Sequence, residues 1–124
     1  MTAGKAPLDR AAVEERLAAE RAATLTQIEA LTRDFQAIVD ANALVAVDDE
    51  HDPDGSSTAF ERAHVSSLLT RARAHLEHLD DALVRLGEGR YGICERCGAE
   101  IPAERLEVRP ASTRCVGCAG AGPR

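Results

Sequence analysis

Four cysteines fall in two pairs, Cys94 with Cys97 and Cys115 with Cys118, and seventeen residues lie between the pairs. A Cys-x-x-Cys pair sets two thiols on one tight turn, and two such turns supply the four corners of a tetrahedral zinc site. Four protein sulfurs leave no coordination position for a reacting water, so one structural Zn2+ is expected rather than a catalytic one. Gly98 follows the first pair, where a residue without Cβ lets backbone amides approach the sulfurs. Two other thiol chemistries compete. A redox-active dithiol opens a helix within a βαβ pattern, and no strand pattern surrounds Cys94. Structural disulfides need an oxidising compartment, and Met1 to Pro7 lacks the apolar core of an export signal, so reduced thiols in a cytoplasmic protein are expected.

The remaining candidates are weaker chemistry. Within Asp48 to Asp54, five of seven residues are acidic, interrupted by His51 and Pro53. Ser56, Ser57 and Thr58 follow, but no His and acid are placed to activate them, whereas turn and cap roles explain them. His75 and His78 stand three apart with no evident third ligand, and read as ordinary residues at the edge of a helix seam. No catalytic constellation results, and the chain is not expected to be an enzyme.

The elements that must carry these groups are helical. The chain has 124 residues, one Tyr, two Phe and no Trp, the composition of long helices without a large aromatic core. So small a core needs a staple, which a metal supplies. From about Leu8 to Ala43 the sequence is nearly free of Gly and Pro, and Ile28, Leu31, Phe35 and Ile38 step by three and four residues. Leu17, Leu25 and Val39 widen or extend that stripe, and Pro7 and Asp9 suit the first turn. From Ala59 to Leu86, Val65, Leu69, Ala72, Leu76, Leu79, Leu83 and Leu86 form a clean heptad seam. Thr58 with Glu61 reads as a capping-box start, and Gly87 and Gly89 read as stops.

Two such helices joined by a short link should fold back as a long antiparallel coiled-coil hairpin, followed by a small four-cysteine finger. The mainly α chain then divides into a disordered arm over 1–7, the hairpin over 8–87 with its acidic tip at 48–57, the finger over 88–118 and a flexible tail over 119–124. Fifteen basic against twenty-one acidic residues give a net charge of -6, which disfavours direct DNA binding. The longest aliphatic run, Ala43 to Val47, is far too short to span a membrane. A monomer is expected.

The segment Tyr91-Gly92-Ile93-Cys94-Glu95-Arg96-Cys97-Gly98, with Ile101-Pro102, Arg105-Leu106, Pro110 and the second cysteine pair, resembles the DksA/TraR zinc-finger family. The match is strong over about thirty residues and extends, more weakly, back to Asp48. The resemblance implies a transcription regulator that binds RNA polymerase and inserts its hairpin tip through the secondary channel. It places Asp49, Asp52 and Asp54 at the polymerase-facing tip. The family tip pattern is Asp-x-x-Asp-x-Ala; here Asp52 matches its start, Gly55 stands at the second Asp and Ser57 at the Ala. Counted back from Cys94, Asp54 falls at the second acidic position instead. Arg71 and Arg109 match basic contacts to polymerase or to guanosine tetraphosphate, and His78 falls where the family has Lys. Two other classes fit the same residues: a zinc-held helical adaptor for another protein, and a thiol redox sensor.

Overall fold

A computed structural model describes the backbone of residues 8–45 and 53–120, with side-chain surroundings for 8–43 and 57–120. The expected arm over 1–7, the tip residues Asp49, His51 and Asp52, and residues 121–124 lie outside this range. Among the described residues four helices run in order: α1 (Arg10–Val45), α2 (Pro53–Gly87), α3 (Ala103–Val108) and α4 (Val116–Ala119). Among the described residues the β interactions amount to one isolated antiparallel bridge, between Ile93 and Glu100. No helix among them is long and apolar enough to cross a membrane.

The chain divides into two compact units, one joining the residues up to Arg21 to those from Glu77 onward, the other comprising Ala22–Leu76. In the first unit the start of α1 lies with the end of α2, which is the antiparallel order that the heptads require.

Asp9 starts α1. Its Oδ1 accepts the Ala12 N–H at 3.1 Å, satisfying an otherwise orphaned donor, and its carbonyl accepts the Val13 N–H at 3.0 Å as the first helical bond. In the first unit, Leu17 and Leu79 are fully buried and join Ala82 and Leu86. Arg21 Nε meets Asp80 Oδ1 at 2.6 Å, with both side chains exposed enough that the pair sets helix register more than stability. In the second unit, Val65, Leu69 and Ala72 are buried from α2, while Ile28, Leu31, Phe35 and Ile38 are half-buried from α1.

Two expectations need correction. Leu25 does not widen the α1 stripe; it is 38% exposed, and Thr24 is buried at 4%. The reason is register: Leu17, Thr24, Leu31 and Ile38 are spaced by sevens, and Leu25 sits about 100° further round the helix. Helix α2 begins at Pro53 and not after Thr58. Proline's fixed φ suits the first helical position, so Pro53 provides the start and Thr58 becomes an interior residue. The expected stop does hold. Gly89 has φ +76°, its N–H reaches the Leu86 carbonyl at 3.2 Å and the Arg90 N–H reaches the Arg85 carbonyl at 2.8 Å, the pattern of a Schellman cap.

This register has a measurable consequence. Leu17→Ala should cost about 3 kcal/mol in urea unfolding of the zinc-loaded protein, because it opens a cavity at a fully buried seam position. Leu25→Ala should cost less than about 1 kcal/mol; equal losses would contradict the assigned seam.

Candidate metal centre

After the α2 cap the chain reverses through a small hydrogen-bonded knuckle. The Ile101 N–H donates to the Gly92 carbonyl at 2.7 Å and the Cys94 N–H to the Ala99 carbonyl at 2.7 Å. The Gly98 N–H closes the turn onto the Cys94 carbonyl at 2.9 Å. Gly98 has φ +78° with nothing within 4 Å of the place its Cβ would occupy, so the turn needs glycine for its backbone angle and not for space. Cys115 precedes α4, and the Ala119 N–H donates to its carbonyl at 2.9 Å, which sets Cys118 on the same turn.

Three interactions bind the second loop to the first. The Glu95 N–H donates to the Thr113 carbonyl at 2.8 Å. Glu95 Oε2 accepts from Thr113 Oγ1 at 3.0 Å and from Arg114 Nε at 3.2 Å. Burial pushes the Glu95 carboxyl up, yet these two donors outweigh it and hold it below the usual range. Tyr91 is buried and donates its hydroxyl to the Pro110 carbonyl at 2.6 Å, and its burial raises the phenol above the ordinary value.

These constraints bring Cys94, Cys97, Cys115 and Cys118 together, all four Sγ atoms lying within 4.8 Å of one another. The Cys97 and Cys115 sulfurs are 3.8 Å apart. Zn–S bonds of about 2.3 Å in a tetrahedron require sulfurs about 3.8 Å apart, so the set fits zinc. A disulfide would need about 2.05 Å, and all four cysteines are free. The Cys94 thiol is lowered to about 6, chiefly by the Cys115 N–H, against burial and with help from the N–H groups of Cys97 and Arg96. Cys115 is lowered chiefly by the Cys118 N–H. Cys118 is pushed up to about 12 by the neighbouring sulfurs, first Cys115 and then Cys94. Hydrogen bonding among the sulfurs thus holds the proton on Cys118, and a divalent cation among the four would take that proton's place.

The centre is part of the first unit's core. Cys94 is 2% exposed and clusters with Leu17, Leu79, Leu86, Tyr91, Ile101 and Leu106, with Cys115 and Cys118 packed against the cluster. Arg85 is a functional position that sequence reasoning missed. It is buried at the end of α2, and its guanidinium donates to the carbonyls of Arg90 and Ile93, fastening the helix to the knuckle. No local signal separates it from the surface arginines, because its partners lie on the following loop.

The other expected site residues are placed apart. Arg109 is exposed at the end of α3, in the unit that holds the cysteines. Arg71 is exposed on α2 in the other unit. Asp54 lies in the first turn of α2, and its side chain is outside the described range along with Asp49 and Asp52.

A helical hairpin carrying a four-sulfur zinc finger defines the class. Residues 89–121 match the prokaryotic dksA/traR C4-type zinc finger. The chain is 40% identical over 65 residues to the uncharacterized protein YteA of Bacillus subtilis, covering 52% of this chain and 27% of that one. It is 38% identical over 63 residues to the RNA polymerase-binding transcription factor DksA of Caulobacter vibrioides, covering 51% and 44%. The matched segments thus span less than half the length of these curated relatives. The solved structure of transcription factor DksA2 from Pseudomonas aeruginosa is similar with a TM-score of 0.73 and 25% identity, over 90% of this chain and 81% of that one. Residues 89–121 therefore carry a DksA/TraR-type C4 zinc finger, and the cofactor that its four cysteines fit is one structural zinc ion.

Two outcomes test this centre. Cobalt(II) added to the metal-stripped protein should give the intense visible bands of a tetrahedral thiolate site at one equivalent, and Cys94→Ser should abolish the stoichiometric uptake; unchanged uptake would place the metal elsewhere. Arg85→Met should lower stability by about 2 kcal/mol, since two carbonyls lose a charged donor, and differential scanning calorimetry would show no such loss if Arg85 were a surface residue.

Proposed function

We propose that the chain is a non-enzymatic regulator of bacterial RNA polymerase that enters the secondary channel and brings its acidic hairpin tip towards the catalytic centre. The observation that carries this reading is the DksA/TraR C4 finger joined to a DksA-like helical hairpin, in a chain whose relatives include proteins named for polymerase binding. Zinc held by Cys94, Cys97, Cys115 and Cys118 supplies no chemistry to a substrate. It fixes the finger against the start of α1 and the end of α2, which belong to the same compact unit.

Asp49, Asp52 and Asp54 are the tip residues in this reading. Carboxylates there can compete for the cations and basic side chains of a nucleotide-polymerising site, which alters the stability of the initiating complex. Arg71 and Arg109 are the exposed cations assigned to polymerase contact or to guanosine tetraphosphate, whose phosphates a guanidinium binds bidentately. The net charge of -6 supports docking on protein rather than direct DNA reading, and a monomer acting in the cytoplasm suits this role.

Titration of core RNA polymerase with the zinc-loaded chain should show saturable binding at micromolar concentrations or below. The bound protein should change the lifetime of promoter complexes several-fold. Asp52→Asn with Asp54→Asn should leave binding intact and remove most of the lifetime effect. Absence of binding would leave a zinc-held adaptor for another protein, and an unchanged lifetime effect would remove the tip from the mechanism.

A further inference from the structure

Each cysteine pair is shaped locally, one by the Gly98 turn and the other by α4, but neither element sets one pair against the other. Seventeen residues separate the pairs, and closing a loop of that length onto a metal costs chain entropy unless other bonds hold its ends together. Three such bonds converge on one residue, Glu95. It directly follows Cys94, while Thr113 and Arg114 directly precede Cys115. The Glu95 N–H donates to the Thr113 carbonyl at 2.8 Å, and Glu95 Oε2 accepts from Thr113 Oγ1 at 3.0 Å and from Arg114 Nε at 3.2 Å. Arg114 is gripped from another side as well, its carbonyl accepting from Arg105 Nε of α3 at 2.9 Å.

This clasp lies at the surface. The Glu95 and Arg114 side chains are 48% and 33% exposed, where an ion pair adds little to global stability. The buried junction does not run through it: Tyr91 reaches the Pro110 carbonyl, and Arg85 reaches those of Arg90 and Ile93. What the clasp controls is the backbone next to one cysteine of each pair. A group that fixes ligand-bearing backbone without touching the metal acts on the affinity of the site, as the outer hydrogen bonds of metal centres do.

We infer that Glu95 is a positioning residue for zinc: by clasping Thr113 and Arg114 it holds the Cys115–Cys118 pair at the Cys94–Cys97 pair, which tightens the site and slows loss of the metal. The second pair must swing away for the metal to leave, and the clasp resists that opening. This role concerns the finger alone and stands whether or not the chain binds RNA polymerase.

The test uses the full chain and zinc itself. Affinity is read by competition with a chromogenic chelator, and the rate of loss by adding that chelator in excess to the zinc-loaded protein. Glu95→Ala should raise the zinc Kd and the rate of loss by about tenfold or more, at an unchanged one-to-one stoichiometry. Glu95→Gln keeps an acceptor oxygen and removes the charge, so it should recover most of the loss; a glutamine as poor as alanine would make the effect one of charge near the thiolates and overturn the clasp. Thr113→Val should weaken binding by itself and add little to Glu95→Ala, whereas full additivity would overturn the pairing. Glu107→Ala removes an exposed, screened charge of α3 and should leave Kd within about twofold; a loss equal to that of Glu95→Ala would also overturn the clasp. Cobalt(II) bound to Glu95→Ala should keep the wild-type thiolate bands, and altered bands would mean a lost ligand and end the positioning role. Wild-type affinity and rate in Glu95→Ala would overturn the inference outright.

Discussion

Four sulfurs held within 4.8 Å of one another are the constraint on which the first unit depends. Four thiolates that close would repel; the Cys94 thiol is lowered to about 6 chiefly by the Cys115 N–H, and Cys118 is raised to about 12 chiefly by hydrogen bonding to the Cys115 and Cys94 sulfurs. A cation resolves that repulsion, and in doing so it fixes two loops whose own apolar content is small. Leu17, Leu79 and Leu86 cluster with Cys94, so the metal centre and the hairpin seam share one core. Arg85 and Tyr91 reinforce the junction with hydrogen bonds to backbone carbonyls, which are insensitive to the side chains around them.

The chemistry of the centre also restricts function. Four thiolates and Zn2+ carry a net charge of -2 and leave no coordination site for a substrate. The finger is consequently an organiser of polypeptide. What it organises is the start of α1 and the end of α2, which belong to helices of more than thirty residues each.

Much of this was legible in the sequence, for reasons that can be assigned residue by residue. The cysteine pairs were readable because thiol spacing on a turn is local. The α2 seam from Val65 to Leu86 was readable because every position in it is apolar. The α1 seam was harder: Thr24 is polar and Leu25 is apolar, so composition pointed one way while register with Leu17 and Leu31 decided the other. At the start of α2, two local signals competed, and proline at the first helical position prevailed over Thr58 and Glu61. Arg85 carried no signal at all, since its worth depends on carbonyls presented by the knuckle. Gly98 was recognised, but its reason is a left-handed backbone angle rather than room for approaching amides.

The central claim is that a zinc-anchored hairpin delivers its tip to the interior of RNA polymerase. The most direct measurement is a cryo-electron microscopy reconstruction of the zinc-loaded chain bound to core polymerase. The account expects α1 and α2 to lie in the secondary channel, with the segment between Val45 and Pro53 nearest the catalytic centre and the four-cysteine finger outside. Density for the chain on any other surface of the enzyme, with the channel empty, would contradict it.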